Sequence, residues 1–407
     1  MFYPKENDNP IKRSSFRYAS VDFLIEKDGT PVFMEVNDNT LAPYYVELKS
    51  KLAGAIERKK PKLENVNSEH LFKFLNIFRS VSQELPKKSI AILCKRKDQP
   101  LAIEKEIRYL IKLFQKQGYY SEMYIPSDCE IRNNRLYIPK EAYYPDIIFR
   151  RNFSFPSEKI EQVVINDLDV RLITGNKYNT HRVINKYLNM SGQSFRQPET
   201  YLAANSKELL HIIQMFHSRG QDCITKPNTS YGGEGFGVFL QNKDNSFEYK
   251  QQMQIIEKHF KNHEEYLVQE KVDAALFDSN DGKQYCFDLR IMVYNGVFAG
   301  IEGRRSSNPL SKGRQAANSL VTNINSGGMD LLVMQGTEEI VPYSSQTLLT
   351  QDEKSSISFD IDSNILILNT KLFNKLKYSA EAIVKAVDEA IYFEDYTAKS
   401  ERNGCKV

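Results

Sequence analysis

Alternating apolar and polar positions over residues 20–37 predict a β-hairpin with Asp28-Gly29 as a two-residue turn. In the register that this turn sets, one face of the hairpin is wholly apolar. Its expected pairs are Val21 with Val36, Phe23 with Met34, and Ile25 with Val32. On the other face Asp22 lies opposite Glu35, and Asn37 points the same way.

The polar face of this hairpin brings two carboxylates together. Opposed residues of a hairpin have Cβ atoms about 5 Å apart, so Asp22 and Glu35 repel each other unless a cation lies between them. Oxygen ligands of this kind are the ones that Mg²⁺ prefers. Two interpretations follow: a metal site formed by Asp22, Glu35 and Asn37, or an acidic hairpin face that is simply hydrated.

Hydrophobic periodicity divides the remainder of the chain into helices and strands. Helices are predicted at 41–60, 71–78, 101–117, 177–188, 206–217 (with Ser206 as the cap) and 379–393. Strands are predicted at 89–94, 119–125, 145–150, 224–226, 237–240, 265–272 and 285–294. The strand-helix-strand order early in the chain predicts a small parallel α/β unit. The polar stretch 303–315 is predicted to be a loop.

Composition narrows the class of protein. A chain of 407 residues with 41% hydrophobic and 26% charged residues is typical of a soluble globular protein of two or three lobes. A net charge of +3 gives no reason to expect nucleic acid as a partner. The five cysteines are scattered without CxxC spacing, which argues against disulfides or a zinc site. Because neither a signal peptide nor a membrane span is evident, we expect a cytoplasmic protein without membrane partners.

A glycine-rich loop follows the strand that ends at Lys226. Its candidate ligand-binding residues are Ser230, Gly232, Gly233 and Gly235. The N–H groups of such a loop form a nest for anions, and the lysine adds a point charge for phosphate. A strand follows the glycines, so the loop is neither a Walker A motif nor a dinucleotide fingerprint. The alternative interpretation is a flexible hairpin loop.

Two further polar segments interrupt apolar strands. Residues 266–273 change abruptly from apolar to polar, as at a hinge, and end in Glu270, Lys271, Val272 and Asp273. Asp288 and Arg290 share one face of a later strand and form either an internal ion pair or a ligand site. Arg304 and Arg305 are open to two interpretations, as functional residues or as solvated surface residues.

In this order the segments resemble the ATP-grasp superfamily. Lys226 and its glycine loop resemble the phosphate-covering loop, and residues 269–272 resemble the adenine-binding hinge. Asp288-Leu-Arg290 and the Asn323 to Gly328 segment resemble motifs of the glutathione synthetase-like and spore-coat-associated branches. Lys177 stands where the family keeps its first nucleotide lysine.

The order of the segments departs from that family. The metal-binding strands, which normally close the chain, match the hairpin at its beginning, so the chain resembles a circular permutant. The resemblance implies an ATP-grasp fold of two α+β subdomains clasping ATP, plus a small parallel α/β domain. The implied parts are 1–46 as the permuted metal-binding part, 47–87 as a helical connector, 88–175 as the pre-ATP-grasp substrate domain, 176–268 as the nucleotide subdomain, and 269–407 as the C-terminal subdomain completed by 1–46. Residues 47–87 and 330–375 have no counterpart.

The resemblance implies an ATP-dependent carboxylate–amine ligase that forms an acylphosphate and releases ADP and phosphate. Its substrates would be ATP, a small-molecule or peptide carboxylate and an amine; a homodimer is left open. The implied nucleotide-binding residues are Lys177, Lys226, Ser230, Gly232, Gly233, Gly235, Glu270, Lys271, Val272, Asp273 and Asp288. Asp22, Glu35 and Asn37 would hold Mg²⁺, with two ions expected and Mn²⁺ as an alternative. Arg290, Arg304, Arg305 and Asn323 would stabilise the acylphosphate.

One departure bears on the substrate. Relatives often carry an arginine two residues before the asparagine, where this chain has Val321, so their amino-acid substrate is not carried over. Two alternatives remain: a non-catalytic ATP-binding or structural protein, and a small-molecule kinase of the same fold.

Overall fold

The computed structural model describes residues 16–39, 43–83, 85, 88–95, 101–151, 160–188, 192–229, 235–241, 247–262, 265–279, 281–310, 320–322, 328–336, 343–344 and 361–393. The strands, in chain order, are β1 Tyr18–Ile25, β2 Pro31–Asn37, β3 Leu63–Glu64, β4 Ser89–Leu93, β5 Tyr120–Tyr124, β6 Glu130–Arg132, β7 Arg135–Tyr137, β8 Ile147–Arg150, β9 Val163–Ile165, β10 Thr200–Ala203, β11 Cys223–Pro227, β12 Gly237–Phe239, β13 Tyr266–Glu270, β14 Leu276–Asp278, β15 Gln284–Tyr294, β16 Val297–Arg305, β17 Met329–Gly336, β18 Tyr343–Ser344 and β19 Ile361–Asn369. The helices are α1 Pro43–Lys59, α2 His70–Ser82, α3 Leu101–Lys116, α4 Leu168–Thr174, α5 Lys177–Tyr187, α6 Ser206–Ser218, α7 Phe247–Lys261 and α8 Thr370–Phe393. The mixed α+β fold class is confirmed.

The predicted N-terminal hairpin is part of the largest sheet. That sheet has the strand order β18-β19-β17-β16-β15-β1-β2, with β14 beside β15 and β3 beside β17. β1 pairs antiparallel with β15, and Asp22 stands directly between Glu35 on β2 and Arg290 on β15. Residues from opposite ends of the chain therefore share one row of this sheet.

The hairpin register differs from the prediction near its turn. Val21 pairs with Val36 and Asp22 with Glu35 as predicted, but Phe23 pairs with Phe33 and Ile25 with Pro31. The turn holds three residues instead of two, closed by bonds between Glu26 and Thr30 and between Gly29 and Glu26, with Gly29 at φ +81°. This shifts the register by one residue, and a bulge at Met34 restores it. The predicted pairings of Phe23 with Met34 and Ile25 with Val32 are therefore wrong.

The two faces of this sheet pack against different parts of the protein. Alternate residues of β1 and β15, among them Val21 and Ile291, pack against the apolar stripe of α8 at Leu376 and Val384. On the opposite face the ends of β1 and β15 meet α2 and the strands β4 and β8 in an aromatic core. Further along β1 and β15, this second face carries charged residues instead. They form the candidate site described below.

Two smaller four-stranded sheets flank the large one. The first, β5-β4-β8-β9, is wholly parallel and packs against α3, which agrees with the predicted parallel α/β unit. The second, β10-β13-β11-β12, is antiparallel, and α6 and α7 pack on one of its faces. Among the described residues, no helix is both long and apolar enough to cross a lipid bilayer.

Three boundaries differ from the predictions for identifiable reasons. Gly303–Arg305 belong to β16 and not to a loop, because they pair with β15 on one side and β17 on the other. The final helix begins at Thr370, nine residues before Ser379, and the Asn369 side chain accepts a bond from Leu372 N at 2.8 Å. Asn205, not Ser206, caps α6 by accepting a bond from Glu208 N.

Candidate functional site

A pocket opens between β2 and the start of α5. Met34, Glu35 and Asn37 line it from the strand, and Lys177 and Thr180 line it from the helix. The bulge at Met34 contributes to this arrangement, because it restores the register in which Glu35 stands opposite Asp22. Asn37 Nδ2 donates to Glu35 Oε1 at 3.3 Å. Two of the three polar residues predicted on one face of the hairpin, Glu35 and Asn37, thus border one cleft, with Asp22 on the strand beside them.

The helix that carries Lys177 is anchored to the strand that carries Lys226. Asn176 caps α5 by accepting a bond from Asn179 N at 2.9 Å. The backbone N–H of Lys177 donates to Asn228 O at 3.1 Å, just beyond the end of β11. Lys226 lies on β11, and its Nζ lies 3.5 Å from Met34 O. Two lysines far apart in sequence therefore approach the same part of β2.

Both lysines are half-buried cations, and Glu35 is an anion that acts on each of them. Burial lowers the pKa of Lys226 to about 8; Glu35 opposes the shift, and Lys177 adds to it. Burial also lowers the pKa of Lys177, again against the influence of Glu35. Both shifts show a site where positive charge is disfavoured in the absence of an anion. A ligand with several negative charges would relieve that penalty.

A charged cluster lies beside this cleft on the same sheet face. Arg290 donates to both Asp22 oxygens, from Nε at 2.7 Å and from Nη2 at 2.6 Å. Arg304 Nη2 donates to Asp22 at 2.9 Å, and Nε and Nη2 bind Asp288 at 2.8 and 2.6 Å. Thr322 Oγ1 also donates a hydrogen bond to the Asp288 carboxylate, at 2.6 Å. The sequence left open whether Asp288 and Arg290 pair with each other; the structure pairs each with a residue of a neighbouring strand.

The electrostatics of the two aspartates differ. Burial alone would raise the pKa of Asp22, but Arg290 and Arg304 hold it well below its usual range. Burial raises the pKa of Asp288 despite Arg304. Within the described ranges, neither Arg290 nor Arg304 has a hydrogen bond to Nη1. With respect to the described residues, each arginine thus keeps one donor nitrogen that could bind an anionic ligand.

The cluster continues into residues that the sequence analysis missed. Lys49 on α1 donates to Glu302 at 2.9 Å and to Asp330 at 2.6 Å, and its side chain is only 1% exposed. In the strand register, Glu302 on β16 stands opposite Arg290 on β15, and Asp330 on β17 stands opposite Arg304 on β16. One signal was available, because Lys49 lies on the apolar stripe of an amphipathic helix, between Val46 and Leu52.

Arg305 lies apart from this cluster. Consecutive residues of a strand point to opposite faces, so Arg305 and Arg304 cannot share a site on the sheet. The Arg305 guanidinium lies 3.9 Å from the centre of the Tyr285 ring, and its Nη1 donates to Ser306 O at 2.8 Å. The solvated-surface interpretation is wrong for both arginines, since Arg304 and Arg305 are 6% and 7% exposed.

The hinge residues are held mainly by ion pairs. Glu270 accepts from Arg196 Nη1 at 2.7 Å and from Glu199 N at 3.0 Å. Lys271 N donates to Asp222 O at 2.9 Å, while Val272 is half-buried. Asp273 forms an exposed ion pair with Lys27 at 2.7 Å. The Glu270 carboxylate is therefore occupied, which leaves backbone groups as the means by which this hinge could contact a ligand.

Arg196 joins the hinge to the hairpin. Besides Glu270, its side chain binds Glu26 with Nε at 3.0 Å and Nη2 at 2.5 Å. Its backbone also pairs with β2, through Arg196 N to Pro31 O and Phe33 N to Arg196 O. One residue thereby fixes the antiparallel sheet against the large sheet.

We expect Arg196→Met to lower the free energy of unfolding by about 1–2 kcal/mol, because two carboxylates lose their shared cation while remaining partly solvated. Chemical denaturation measures this. The matched control is Arg219→Met, which removes an exposed pair with Glu199 and should change stability by less than about 0.5 kcal/mol. Equal effects of the two substitutions would contradict the role assigned to Arg196.

The remaining predicted residues belong to the glycine segments. Gly235 has φ +72°, and a Cβ there would lie 2.7 Å from both Pro227 Cγ and Tyr266 Oη, so both backbone conformation and space require glycine. Three residues of the predicted loop and the predicted asparagine lie outside the described residues: Ser230, Gly232, Gly233 and Asn323.

The oxygen donors at the cleft fit a Mg²⁺ ion in part. Glu35 and Asn37 line the pocket, and Mg²⁺ commonly takes one or two protein oxygens and completes its shell with phosphate and water. Asp22 stands opposite Glu35, but its carboxylate accepts three arginine N–H groups. Within the described part of the chain, no three His, Cys, Asp or Glu residues converge as a preformed metal cluster. Asp22 Oδ1 accepts only one of the three arginine N–H groups, so a metal at Asp22 would bind beside Arg290.

Comparisons with known proteins found no matching family model and no matching curated protein. Among solved structures, the chain is similar to a protein described as a gamma-glutamylcysteine synthetase from Methylobacillus flagellatus KT, at 12% identity and a TM-score of 0.48, covering 93% of this chain and 89% of that chain. It is also similar to the D-cycloserine synthetase DcsG, at 10% identity, a TM-score of 0.39 and coverage of 74% and 99%. D-alanyl-alanine synthetase A from Vibrio cholerae O1 biovar eltor is similar at 12% identity, a TM-score of 0.40 and coverage of 75% and 82%. At these values the neighbours' activities are not transferred to this chain.

Proposed function

We propose that this protein is an ATP-dependent carboxylate–amine ligase of the ATP-grasp type, with its metal-binding hairpin permuted to the beginning of the chain. The observation that carries the proposal is the convergence of Lys177 and Lys226, two half-buried cations from different elements with lowered pKa values, on the cleft beside Glu35. A triphosphate would favour the charged form of both lysines and so raise their lowered pKa values. The motifs in their permuted order support the same conclusion.

In this proposal the cleft between β2, α5 and β11 holds the nucleotide. Lys177 and Lys226 bind phosphate oxygens, and the glycine loop after β11 covers them. Backbone groups of Glu270 to Val272 hold the adenine, while Arg196 keeps the hinge in place. Glu35 and Asn37 would hold Mg²⁺, with Asp22 opposite Glu35 as a further oxygen donor. The bound metal would neutralise phosphate charge during transfer.

The charged cluster serves the chemistry. A substrate carboxylate oxygen attacks the γ-phosphorus, the bond to the β–γ bridging oxygen breaks, and ADP leaves. An amine nitrogen then attacks the acyl carbon and displaces phosphate, which forms an amide and releases protons. Nη1 of Arg290 and of Arg304 is available to the developing negative charge, and the fixed aspartates keep both guanidinium groups oriented. Water exclusion protects the acylphosphate from hydrolysis.

The proposal predicts proton uptake when the nucleotide binds. Near pH 8 about half of the Lys226 side chains are neutral, because their pKa is about 8. Bound phosphate favours the ammonium form and raises that pKa, so ATP binding at pH 8 takes up protons and affinity falls as the pH rises further. Calorimetry in two buffers of different ionisation enthalpy measures the uptake. Lys226→Met should reduce it, and proton release by the wild type would contradict the assignment.

The reaction is tested by ADP release. With Mg²⁺ and ATP, a mixture of carboxylates should give ADP faster when amines are added, and product mass should equal the sum of the two substrates less one water. ADP formation without any amine, accompanied by a phosphorylated product, would favour the kinase alternative. ATP binding without ADP release under all conditions would favour the non-catalytic alternative. The Nη1 nitrogens of Arg290 and Arg304, which have no hydrogen bond within the described ranges, favour the ligase.

A further inference from the structure

Arg290 of the charged cluster stands between two carboxylates. It lies on β15, opposite Asp22 on β1 and opposite Glu302 on β16. Cross-strand neighbours lie on the same face of a sheet with Cβ atoms about 5 Å apart, so the guanidinium could reach either carboxylate. Both side-chain hydrogen bonds that the described residues give Arg290 go to Asp22. The arginine therefore binds one of two neighbours that the strand register makes equivalent.

Arg304 repeats this arrangement on the next strand. It lies on β16, opposite Asp288 on β15 and opposite Asp330 on β17. Its hydrogen bonds go to Asp288 and Asp22, and none within the described ranges goes to Asp330. Both arginines thus turn toward β1 and the cleft, and both turn away from a carboxylate on their other side.

Lys49 occupies the two carboxylates that the arginines leave. Its Nζ donates to Glu302 Oε1 at 2.9 Å and to Asp330 Oδ1 at 2.6 Å. The Lys49 side chain is only 1% exposed, so its charge acts on these two groups with little screening by water. Burial alone would raise the pKa of Glu302, but Lys49 is the main influence that lowers it. The lysine therefore satisfies the side of the cluster that faces away from the cleft.

The balance of charge in the cluster makes this lysine decisive. Carboxylates outnumber cations: the cations are Lys49, Arg290 and Arg304, and the carboxylates are Asp22, Asp288, Glu302 and Asp330. A buried carboxylate that loses its cation is strongly destabilised unless another cation replaces it. Without Lys49, Glu302 would compete with Asp22 for Arg290. In the same way, Asp330 would compete with Asp288 for Arg304.

We propose that Lys49 is a positioning residue of the candidate site. By pairing with Glu302 and Asp330, it removes them from competition, and the guanidinium groups of Arg290 and Arg304 turn toward the cleft. The statement that this orientation serves catalysis rests on the proposed function, whereas the orientation itself does not. Lys49 lies in the segment 47–87, which has no counterpart in the ATP-grasp resemblance, so the proposal gives a role to a part of the chain that the resemblance leaves unexplained.

The Nε–H groups of the two arginines report their orientation directly. Arg290 Nε donates to Asp22 at 2.7 Å, and Arg304 Nε donates to Asp288 at 2.8 Å. In protein carrying isotope-labelled arginine, the NMR signal of each Nε–H group therefore depends on whether that bond is intact. Each signal is assigned by its absence from the Arg290→Lys or the Arg304→Lys variant.

Two double variants separate the two competing carboxylates. Lys49→Met with Asp330→Asn leaves Glu302 as the competitor and should move mainly the Arg290 signal. Lys49→Met with Glu302→Gln leaves Asp330 and should move mainly the Arg304 signal. The triple variant leaves neither competitor and should return both signals to their wild-type positions. If a double variant does not fold, Lys49→Gln replaces Lys49→Met in it, because the glutamine amide still donates to a carboxylate but carries no charge.

Steady-state kinetics connect the orientation to the chemistry. In amine-dependent ADP release, each double variant should lower kcat by at least about tenfold, since one arginine no longer faces the developing charge. KM for ATP should change by less than about twofold, and the triple variant should recover most of kcat. Lys73→Met is the matched control: Lys73 lies in the same segment and donates to Phe298 O on β16 at 2.9 Å, but its ion pair is with the exposed Glu69. It should change neither the arginine signals nor kcat.

The outcomes separate this inference from the proposed function. Unchanged arginine signals in both folded double variants would overturn the inference. Signals that stay displaced in the triple variant would also overturn it, because Lys49 would then act through packing and not through charge. Selective displacement in a protein that never releases ADP would support the positioning role and reject the ligase. Displaced signals with a wild-type kcat would overturn the statement that the orientation serves catalysis, while selective displacement with a lowered kcat would support both.

Discussion

Replacing Lys226 with methionine is expected to weaken ATP binding by about 100-fold while leaving the protein at least as stable as the wild type. The loss follows because a charge-assisted contact to phosphate contributes about 1.5–3 kcal/mol. Stability should not fall, because burial lowers the pKa of Lys226 to about 8 and the folded protein therefore bears a cost for this cation at neutral pH. Methionine has a similar shape and carries no charge.

Two measurements check this expectation. Calorimetry with ATP and Mg²⁺ gives the affinity, and thermal or chemical denaturation of the free protein gives the stability. Lys283→Met is the matched control, since Lys283 is exposed and lies 3.8 Å from Asp281; it should alter neither quantity. A Lys226→Met variant that binds ATP normally would show that this lysine does not contact phosphate. A variant that unfolds at a markedly lower denaturant concentration would show that the lysine has a structural role.

The second large effect is expected at Arg304. Arg304→Gln leaves Asp22 and Asp288 buried without their shared cation, and breaking a buried ion pair in this way costs about 3–5 kcal/mol. The free energy of unfolding from urea denaturation should fall by this amount. Adding Asp288→Asn should recover at least about 1 kcal/mol, because it removes the carboxylate that has lost its arginine, whereas Asp22 keeps its bonds to Arg290.

The control for Arg304 is Arg132→Gln, which breaks an exposed pair with Glu130 and should cost less than about 0.5 kcal/mol. If Arg304→Gln unfolds like the wild type, the two aspartates are not held by this arginine. If Asp288→Asn brings no recovery, the loss comes from packing and not from charge.

The local features of the fold were predictable from the sequence because their causes are local. Alternation at Val21 and Val36 and turn chemistry at Gly29 produce the hairpin, and apolar spacing produces α3 and α5. The hairpin register near its turn was not predictable, because Asp28-Gly29 suits both two-residue and three-residue loops. In the structure, the three-residue loop occurs together with the bulge at Met34, which compensates for the extra loop residue.

The residues of the candidate site could be recognised in the sequence where they stand in short motifs, as at Glu35, Asn37 and Lys226. The site was not predictable where partners come from distant parts of the chain. Lys49 meets Glu302 and Asp330 across more than 250 positions, and no pattern within either segment announces that contact. Asp22 could be recognised as a polar residue on a buried strand, but its two arginine partners depend on the pairing of β1 with β15 and on the neighbouring strand β16.

The central claim is that the hairpin and the glycine-loop strand form one nucleotide site although they are far apart in sequence. The most direct test is a double-mutant cycle on Mg²⁺-dependent ATP binding with Glu35→Ala, Lys226→Ala and the double variant. We expect Glu35→Ala to remove most of the Mg²⁺ dependence, and the two substitutions to be coupled by at least about 1 kcal/mol. Intact Mg²⁺ dependence in Glu35→Ala, with additive effects of the two substitutions, would show that the hairpin is ordinary structure and would contradict the permuted ligase.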